Sequence, residues 1–303
     1  MLEVCLVGTG GMMPLTYRFL SSLLVRSEGS TLLIDCGEAT QVAIRKAEYS
    51  THPIDNILIT HFHADHISGL VGLLLSMGNT DRTEPVNIVG PKGIKEVVTS
   101  LRVIAPELPF NLNFIELNDN NGFLDLSPFR IEYFKLKHRI TCLGYNIYLD
   151  RLAEFLPEKA KKNNVPLRFW NKLQHGEECF DEINNIKYTS DMVMGEERRG
   201  IKLSYFTDTR PCDNILNLTK DADLMIAEGM YGDIDKIDNA KSYKHMMMTE
   251  ACEIAKINNP KELWLTHYSP SEVKPQIYEK DLKKIFDNVK ILKDGEKKII
   301  YFE

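Results

Sequence analysis

Short apolar runs alternate with helical stretches along the first half of the chain. Runs rich in Val, Ile and Leu and bounded by Gly, Asp, Asn or Pro are typical of buried β-strands. They lie at Leu2–Val7, Ser22–Val25, Leu32–Ile34, Ile57–Thr60 and Val86–Val89. Apolar residues three and four positions apart predict helices, and these lie at Gln41–Ala47, Ser68–Met77 and Ile94–Ile104. The first half is therefore predicted to mix strands with helices.

Strands are also predicted in the second half. Alternation of apolar and polar residues over Phe129–Leu136 predicts strands with one wet face, and Gly144–Leu149 predicts another. Further strands are predicted at Leu203–Thr207, Leu224–Ala227, Leu263–Thr266 and Lys298–Phe302, with a helix at Thr249–Ile257. Because strands of both halves end at polar, metal-competent residues, we expect two sheets packed face to face, helices outside them and a site along their common edge.

The regular pattern lapses between residues 151 and 202. This stretch contains ten basic and nine acidic residues, and its helical spacing is broken. We predict a single domain over residues 1–303, with an excursion from the core, an inserted arm, at about 151–202.

Composition and charge exclude several classes of protein. With 43% hydrophobic residues, the chain can bury a large core. No apolar run reaches the 18 or so residues of a membrane span, and residues 1–4 lack the features of a signal peptide, so we expect no membrane contact and a cytoplasmic location. The six cysteines form no C-x-x-C pair, which argues against a zinc ribbon. A net charge of -6 gives no electrostatic reason to expect general affinity for nucleic acid, although a local basic face can exist within an acidic whole.

The candidate chemistry lies in the segment His61–His66, which follows a predicted strand. It holds three histidines and one aspartate in six positions. His61 and His63 can face one cation while Asp65 and His66 face a second. Imidazole and carboxylate ligands suit Zn, Mn or Fe, and the absence of thiolates argues against a closed structural zinc site. The segment predicts a catalytic site for two metal ions.

The same segment is the metal-binding signature of the metallo-β-lactamase superfamily. The chain resembles that superfamily over nearly its full length, including Asp35 in the segment Leu33–Gly37. The resemblance implies an α/β fold of the αββα type, a sandwich of two packed mixed β-sheets with outer helices. It also implies a metal-dependent hydrolase.

Within the superfamily, the chain is similar to the ribonuclease Z family, which trims the 3′ end of precursor tRNA. The similar segments are Gly8–Gly11, Asp35–Gln41, Phe206–Pro211 and Leu265–Ser269. The resemblance implies a ligand set that divides into two groups sharing one bridging carboxylate. One metal is assigned to His61, His63 and His138, the other to Asp65, His66 and His267, with Asp208 bridging both. Zinc is the expected metal, and Mn or Fe are alternatives.

Two further residues carry a catalytic role by resemblance. Glu228 lies in a segment where the family has a histidine followed by a glutamate, and His245 precedes a predicted helix. Asp65, Glu228 and His245 are expected to form a line of proton-handling groups, in which His245 protonates the leaving 3′ oxygen. The implied reaction is endonucleolytic cleavage of precursor tRNA, with a hydroxide at the metals as the nucleophile.

The chain departs from the family in two places that affect the substrate. Ala227 stands where the family has a histidine, and the stretch Asn164–Glu177 lacks the Gly/Pro-rich tip of the family's tRNA-gripping arm. Exposed Arg168, Phe169, Trp170 and Lys172 are expected to form a stacking and phosphate-binding tip in its place.

Other functions stay open at this point. A metallo-hydrolase of the same fold acting on a small phosphodiester is the main alternative, with the excursion as a lid or dimer contact. A lactamase or thioester hydrolase would use the same nucleophile on a carbonyl carbon, and a metal-binding scaffold without catalysis is a third class. Precursor tRNA or a small phosphodiester is the expected substrate, and a homodimer is the expected assembly.

Overall fold

A computed structural model describes all 303 residues. The chain divides into two compact units, one formed by 1–149 with 201–301 and the other by 150–200 with 302–303. The strands of the larger unit form two seven-stranded mixed sheets. The predicted αββα class is confirmed, with two large mixed sheets and flanking helices.

The first sheet holds most strands of the first half of the chain. Its strands are β1 (Leu2–Gly8), β2 (Ser22–Ser27), β3 (Ser30–Ile34), β4 (Ile54–Leu58), β5 (Val86–Pro91), β6 (Leu112–Leu117) and, from the end of the chain, β16 (Glu296–Ile300). Their order is β16-β1-β2-β3-β4-β5-β6. The strands β3 to β6 run parallel, with Leu33 opposite Ile57 and Ile57 opposite Ile88. Their carboxyl ends therefore meet at one edge of the sheet.

The second sheet has the same kind of parallel block. Its strands are β7 (Asn121–Leu126), β8 (Phe129–Lys135), β9 (Leu143–Arg151), β12 (Arg198–Phe206), β13 (Leu224–Glu228), β14 (Leu263–Thr266) and β15 (Val289–Ile291). Their order is β15-β14-β13-β12-β9-β8-β7. The strands β12 to β15 are parallel, with Leu203 opposite Leu224 and Ile226 opposite Trp264.

Helices and short 3-10 turns connect the strands. The α-helices of the larger unit are α1 (Thr40–Lys46), α2 (Ala64–Ile67), α3 (Leu70–Gly78), α4 (Ile94–Leu101), α7 (Asp213–Leu218), α8 (Ile237–Tyr243), α9 (Met248–Asn258) and α10 (Glu279–Leu282). None of the helices combines the length and the apolar composition that crossing a bilayer requires.

Each sheet of the larger unit buries one face against helices. In the first sheet Leu33 and Ile57 share an apolar cluster with Ile44 of α1 and Leu73 of α3. In the second sheet residues of β13 and β14 share one with the apolar side of α9. The alternate residues of the same strands are buried on the opposite face, because successive side chains point to opposite faces of a strand.

The two sheets meet through these opposite faces. The hydroxyl of Tyr145, on β9, donates to the carbonyl of Ile59 just after β4, at 2.8 Å. The amide of Leu143 donates to the carbonyl of Thr60, at 3.0 Å. These bonds fix the end of β4 against the second sheet and so position the segment that follows, which carries His61.

The helix predicted at Ile94–Ile104 differs from the observed one. The α-helix ends at Leu101, and a 3-10 turn, Arg102–Ile104, follows it. Ile94 and Val98 are buried, but Ile104 is 80% exposed. The apolar spacing was therefore right for the first two turns and wrong for the last, where no neighbouring element covers the helix.

The smaller unit has its own core. It contains α5 (Pro157–Lys162), α6 (Leu167–Gln174) and a hairpin of β10 (Cys179–Asp181) with β11 (Ile186–Tyr188). The core is made of aliphatic, small and aromatic side chains from the helices, the hairpin and the segments that connect and follow them. Its buried members are Ala160, Val165, Leu173, Cys179, Tyr188, Val193 and Met194.

The expected stacking tip of this unit is only partly right. Arg168 and Lys172 are exposed, but Phe169 and Trp170 are half-buried and pack against the core. The Trp170 ring lies 5.2 Å from that of Phe155, and its indole N–H donates to the carbonyl of Val165 at 2.9 Å. Both aromatic residues face inward because α6 needs an apolar side to pack on the hairpin.

We predict that Leu173→Ala loosens the smaller unit. Leu173 is fully buried on α6, and removal of a buried leucine side chain costs about 2–5 kcal/mol. Limited proteolysis of the variant should cut within residues 150–200 faster than in the parent protein. Leu167→Ala is the matched control, because Leu167 lies on the same helix and is 75% exposed. Equal cleavage rates in the two variants would contradict this core.

Candidate metal centre

Six of the eight histidines come together in the larger unit, at the carboxyl ends of its strands. His61 follows β4, and the short helix α2 carries Asp65 and His66. The remaining predicted ligands follow strands of the second sheet. His138 lies after β8, Asp208 after β12 and His267 directly after β14. Each sheet therefore supplies part of the cluster, and all seven predicted ligands lie in it.

The first group of donors contains His61, His63 and His138. His61 Nε2 lies 3.0 Å from His63 Nδ1, and His138 Nε2 lies 3.3 Å from the same atom. Asp208 Oδ1 is 3.8 Å from His61 Nε2 and 3.9 Å from His138 Nε2. Four donor atoms thus converge on one point.

The second group contains Asp65, His66 and His267. His66 Nε2 and His267 Nε2 are 3.2 Å apart, and each lies 3.6 Å from Asp65 Oδ2. Asp208 Oδ2 is 3.1 Å from both of these nitrogens. Asp208 therefore presents one oxygen to each group.

The donor set fits divalent metal ions. Ligands about 2.0–2.1 Å from one ion stand roughly 3.3 Å from one another in a tetrahedral site, close to these separations. Asp208 Oδ2 is buried and makes no well-aligned hydrogen bond, although two imidazole nitrogens lie 3.1 Å away, and His267 Nδ1 is buried without a hydrogen-bond partner. A buried carboxylate oxygen without a partner is costly, and a cation at this position removes the cost. Divalent metal binding agrees with the fold and the His/Asp cluster.

The rings of the histidines are oriented by bonds on their far side. His66 Nδ1 lies 2.8 Å from Asp35 Oδ2, and Asp35 also accepts from the amide and hydroxyl of Thr60. His61 Nδ1 lies 3.0 Å from the hydroxyl of Thr60, and His138 Nδ1 lies 3.2 Å from the main-chain oxygen of Lys244. Such bonds fix which nitrogen faces a metal. In all three rings Nε2 points into the cluster.

Charge and burial set the protonation of the cluster. Burial lowers the pKa of His61 well below its usual range and that of His138 to about 4. Burial also acts downward on His66, but the carboxylates of Asp208 and Asp35 raise its pKa well above its usual range. For Asp208 burial acts upward, yet His267 and His66 hold its pKa well below its usual range. The site therefore favours positive charge between its carboxylates.

The backbone is left-handed at three of the positions that project polar groups into the site. The φ angles are 63° at Asp35, 55° at Asp208 and 58° at His267. Non-glycine residues seldom adopt this region, and such residues cluster at functional sites. In each case the left-handed residue lies one or two positions after the end of a strand, at the common edge of the two sheets.

Glu228 and His245 lie beside the ligand cluster. Glu228 ends β13, and its Oε2 is 2.9 Å from His245 Nδ1, while its Oε1 accepts the amide of Thr209. Burial acts downward on His245, but Glu228 raises its pKa to about 8. His245 Nδ1 is also 3.7 Å from Asp208 Oδ1. The predicted contact between Glu228 and His245 is present, and the Glu228 carboxylate favours the protonated form of His245.

Sequence reasoning missed a clamp on His245. Arg210 donates to the main-chain oxygen of His245 at 2.6 Å and to Glu250 Oε2 at 2.7 Å. Glu250 in turn accepts the amide of Met247 at 2.9 Å. Arg210 lies in the family-like segment Phe206–Pro211 and could have been singled out from it. No sequence pattern distinguishes Glu250 from other glutamates of a helix. The segment that follows Asp208 is thereby joined to the one that carries His245.

The strap Thr9–Arg18 lies beside the second donor group. The amide of Met12 donates to Asp65 Oδ2 at 2.7 Å, and a side chain at Gly11 would collide with the ring of His267. Arg18 is buried, and its guanidinium donates to the carbonyl of Glu272 at 2.8 Å and lies 5.2 Å from the ring centroid of Tyr268. These contacts hold the loop after His267 against the strap.

The sequence of this chain is similar to those of several known proteins. A family model described as anti-Pycsar protein Apyc1 matches residues 2–147. A ribonuclease Z of Lachnoclostridium phytofermentans is 51% identical over 303 residues, which is 100% of this chain and 99% of the relative. A ribonuclease Z of Lachnospira eligens is 52% identical over 295 residues, which is 97% of this chain and 96% of the relative.

Solved structures share the fold. The short form of human tRNase Z has a TM-score of 0.71 at 23% identity and covers 99% of this chain and 100% of its own. A metallo-beta-lactamase fold protein of Bacillus subtilis has a TM-score of 0.70 at 22% identity, with 98% of both chains covered. The predicted metallo-β-lactamase fold and the predicted family are confirmed. With close relatives matched from end to end, the chain belongs to the ribonuclease Z family.

Proposed function

We propose that this chain is a metal-dependent endoribonuclease that cleaves precursor tRNA at its 3′ end. The observation that carries the proposal is the pair of donor groups that share Asp208, one on each oxygen. Two metal ions about 3.5–4 Å apart are suited to phosphodiester cleavage, because they act on both the attacking and the leaving oxygen. The end-to-end similarity to proteins named ribonuclease Z supports tRNA as the substrate.

The ligands proposed for the first ion are His61, His63 and His138, and Asp208 is proposed as the bridge. The second ion is assigned to Asp65, His66 and His267, and zinc is proposed for both, since imidazole and carboxylate donors suit it. Bound metal would lower the pKa of a water molecule and offset charge on the phosphodiester oxygens.

Other side chains of the protein are proposed to orient the histidine rings and to supply a proton to the leaving oxygen. Asp35 and Thr60 fix the rings of His66 and His61. Glu228 holds His245 protonated, so that His245 can give a proton to the leaving 3′ oxygen while Arg210 fixes its backbone. Asp65, which shares the second donor group, is proposed to complete this line of proton-handling groups.

The smaller unit is proposed to be the arm that grips tRNA. Support comes from its exposed cations, among them Lys161, Lys162 and Lys172, since contacts to phosphates supply much of the affinity for RNA.

A homodimer is also proposed. It is supported by the exposed apolar side chains of Val42 on α1 and Leu75 on α3, and light scattering would measure it.

The substrate class is tested by measuring hydrolysis of three compounds side by side. Purified protein with defined metals is offered precursor tRNA, a small phosphodiester and a β-lactam, each beside Asp65→Ala. We expect cleavage of precursor tRNA at the 3′ end of the acceptor stem, and no turnover of the lactam. If the protein hydrolysed only the small phosphodiester, the alternative substrate class would replace tRNA.

The metal assignment predicts two ions per chain and the loss of hydrolysis in Asp208→Ala. Removing Asp208 takes a ligand from each ion and leaves their repulsion uncompensated. Elemental analysis of reconstituted protein measures the ion count, and circular dichroism checks the fold. Asp238→Ala is the matched control, because Asp238 is an exposed aspartate on α8. One ion per active chain would contradict the dinuclear assignment.

The proton-donor role predicts a dependence on the leaving group. His245→Ala should slow cleavage of precursor tRNA by about 10²–10⁴-fold, because a ribose oxygen needs a proton to leave. Hydrolysis of a p-nitrophenyl phosphodiester should fall much less, since that leaving group is stable without a proton. The measurement is the ratio of the two rates in parent and variant. Equal losses on both substrates would assign His245 to another role.

A further inference from the structure

Two exposed segments meet on one side of the metal-ligand cluster, and the proposed reaction uses only their histidines. Residues 137–141 include His138, and residues 241–245 include His245. His138 Nδ1 lies 3.2 Å from the main-chain oxygen of Lys244, and Arg139 Nη2 donates to that of Ser242 at 3.1 Å. We call the other polar and aromatic members of these segments the basic rim. They are Lys137, Arg139, Lys241, Tyr243 and Lys244.

The basic rim contrasts in charge with the rest of the chain. The whole sequence has a net charge of -6, yet the two segments contain four Lys or Arg residues and no Asp or Glu. Of the carboxylates near these segments, Asp208 and Glu228 are buried within the cluster and Glu250 is paired with Arg210, whereas Asp238, three residues before Lys241 on α8, is exposed. A local positive field beside a phosphodiester-cleaving centre attracts a polyanion at that place.

The centre of the rim is a stack of arginine on tyrosine. The guanidinium carbon of Arg139 lies 4.8 Å from the ring centroid of Tyr243, and 48% of Tyr243 remains exposed. Tyr243 ends α8, and Lys244 follows it with a left-handed backbone, φ 64°. An exposed ring held by a cation is a stacking platform for a nucleobase, and the guanidinium beside it suits a phosphate.

We propose that the basic rim binds the unpaired nucleotide next to the scissile phosphate, an inference that rests on the proposed tRNA cleavage. Tyr243 stacks on the base, and Arg139 with the lysines contacts the flanking phosphates. Stacking requires a base that is free of a helix, and the 3′ end of tRNA is single-stranded. The bound nucleotide must lie next to the scissile phosphate, because Tyr243 is only two residues from the proton donor His245. Their Cα atoms are at most about 8 Å apart.

The stacking is tested by a double-mutant cycle between protein and RNA. Tyr243→Ala and Tyr243→Phe are compared on precursor tRNA that carries an abasic site at one unpaired position at a time around the cleavage point. Single-turnover kinetics give the half-saturating enzyme concentration and the plateau rate separately. We expect Tyr243→Ala to raise the half-saturating concentration about tenfold, within the range of one base–aromatic stack, and Tyr243→Phe to retain the parent value.

The cycle identifies the partner base. At one position, the abasic site should weaken binding to the parent protein by the same factor and have no further effect in Tyr243→Ala. Tyr301→Ala is the matched control, since Tyr301 is an exposed tyrosine outside the rim. Arg139→Gln should also reduce the salt dependence of tRNA binding by about one phosphate contact, whereas Arg45→Gln, at an exposed arginine on α1, should not.

The outcomes separate the rim from the proposed function. If the parent protein cleaves precursor tRNA and Tyr243→Ala binds and cleaves it equally well, the rim proposal is wrong and the function stands. Additive losses at every abasic position would also overturn the rim. If the parent protein does not cleave precursor tRNA, the proposed function fails and the rim proposal fails with it.

Discussion

The buried carboxylate of Asp208 is the group on which the rest of the site depends. Its two oxygens face different sets of histidine nitrogens, with Oδ2 only 3.1 Å from those of His66 and His267. A carboxylate away from water is tolerated only beside positive charge or hydrogen-bond donors. The strand ends, the left-handed turns and the bonds behind the rings all bring such groups to it. The fold thus keeps the negative charge of Asp208 buried among groups that stabilise it.

Much of the fold and part of the site could be predicted from the sequence. Buried strands can be recognised as apolar runs in the sequence. The segment His61–His66 contains four candidate metal ligands within six positions after one strand. Glu228 and His245 were predicted only through resemblance, because a single glutamate at a strand end has no spacing that marks it. The same holds for His138, Asp208 and His267, which local pattern alone does not distinguish from ordinary polar residues.

The remaining features depend on residues that are distant in the sequence. Glu250 meets Arg210 across forty positions, and the stack of Arg139 on Tyr243 joins segments about a hundred positions apart. Periodicity reports which side of an element is apolar but not where that side loses its neighbour, which is why the end of the predicted helix at Ile104 was wrong. Contacts of this kind exist only once the chain is folded.

The division of the donors between the two sheets has a consequence for the life of the protein in the cell. The segment His61–His66 follows a strand of the first sheet, whereas Asp208 and His267 follow strands of the second. An ion held by both sets acts as a cross-link, and only the folded chain offers it all its ligands. Binding of this kind adds about 2.7 kcal/mol of stability when free metal is a hundred times its dissociation constant. The supply of metal would then govern how much of the protein survives proteolysis, and not only how fast each molecule works.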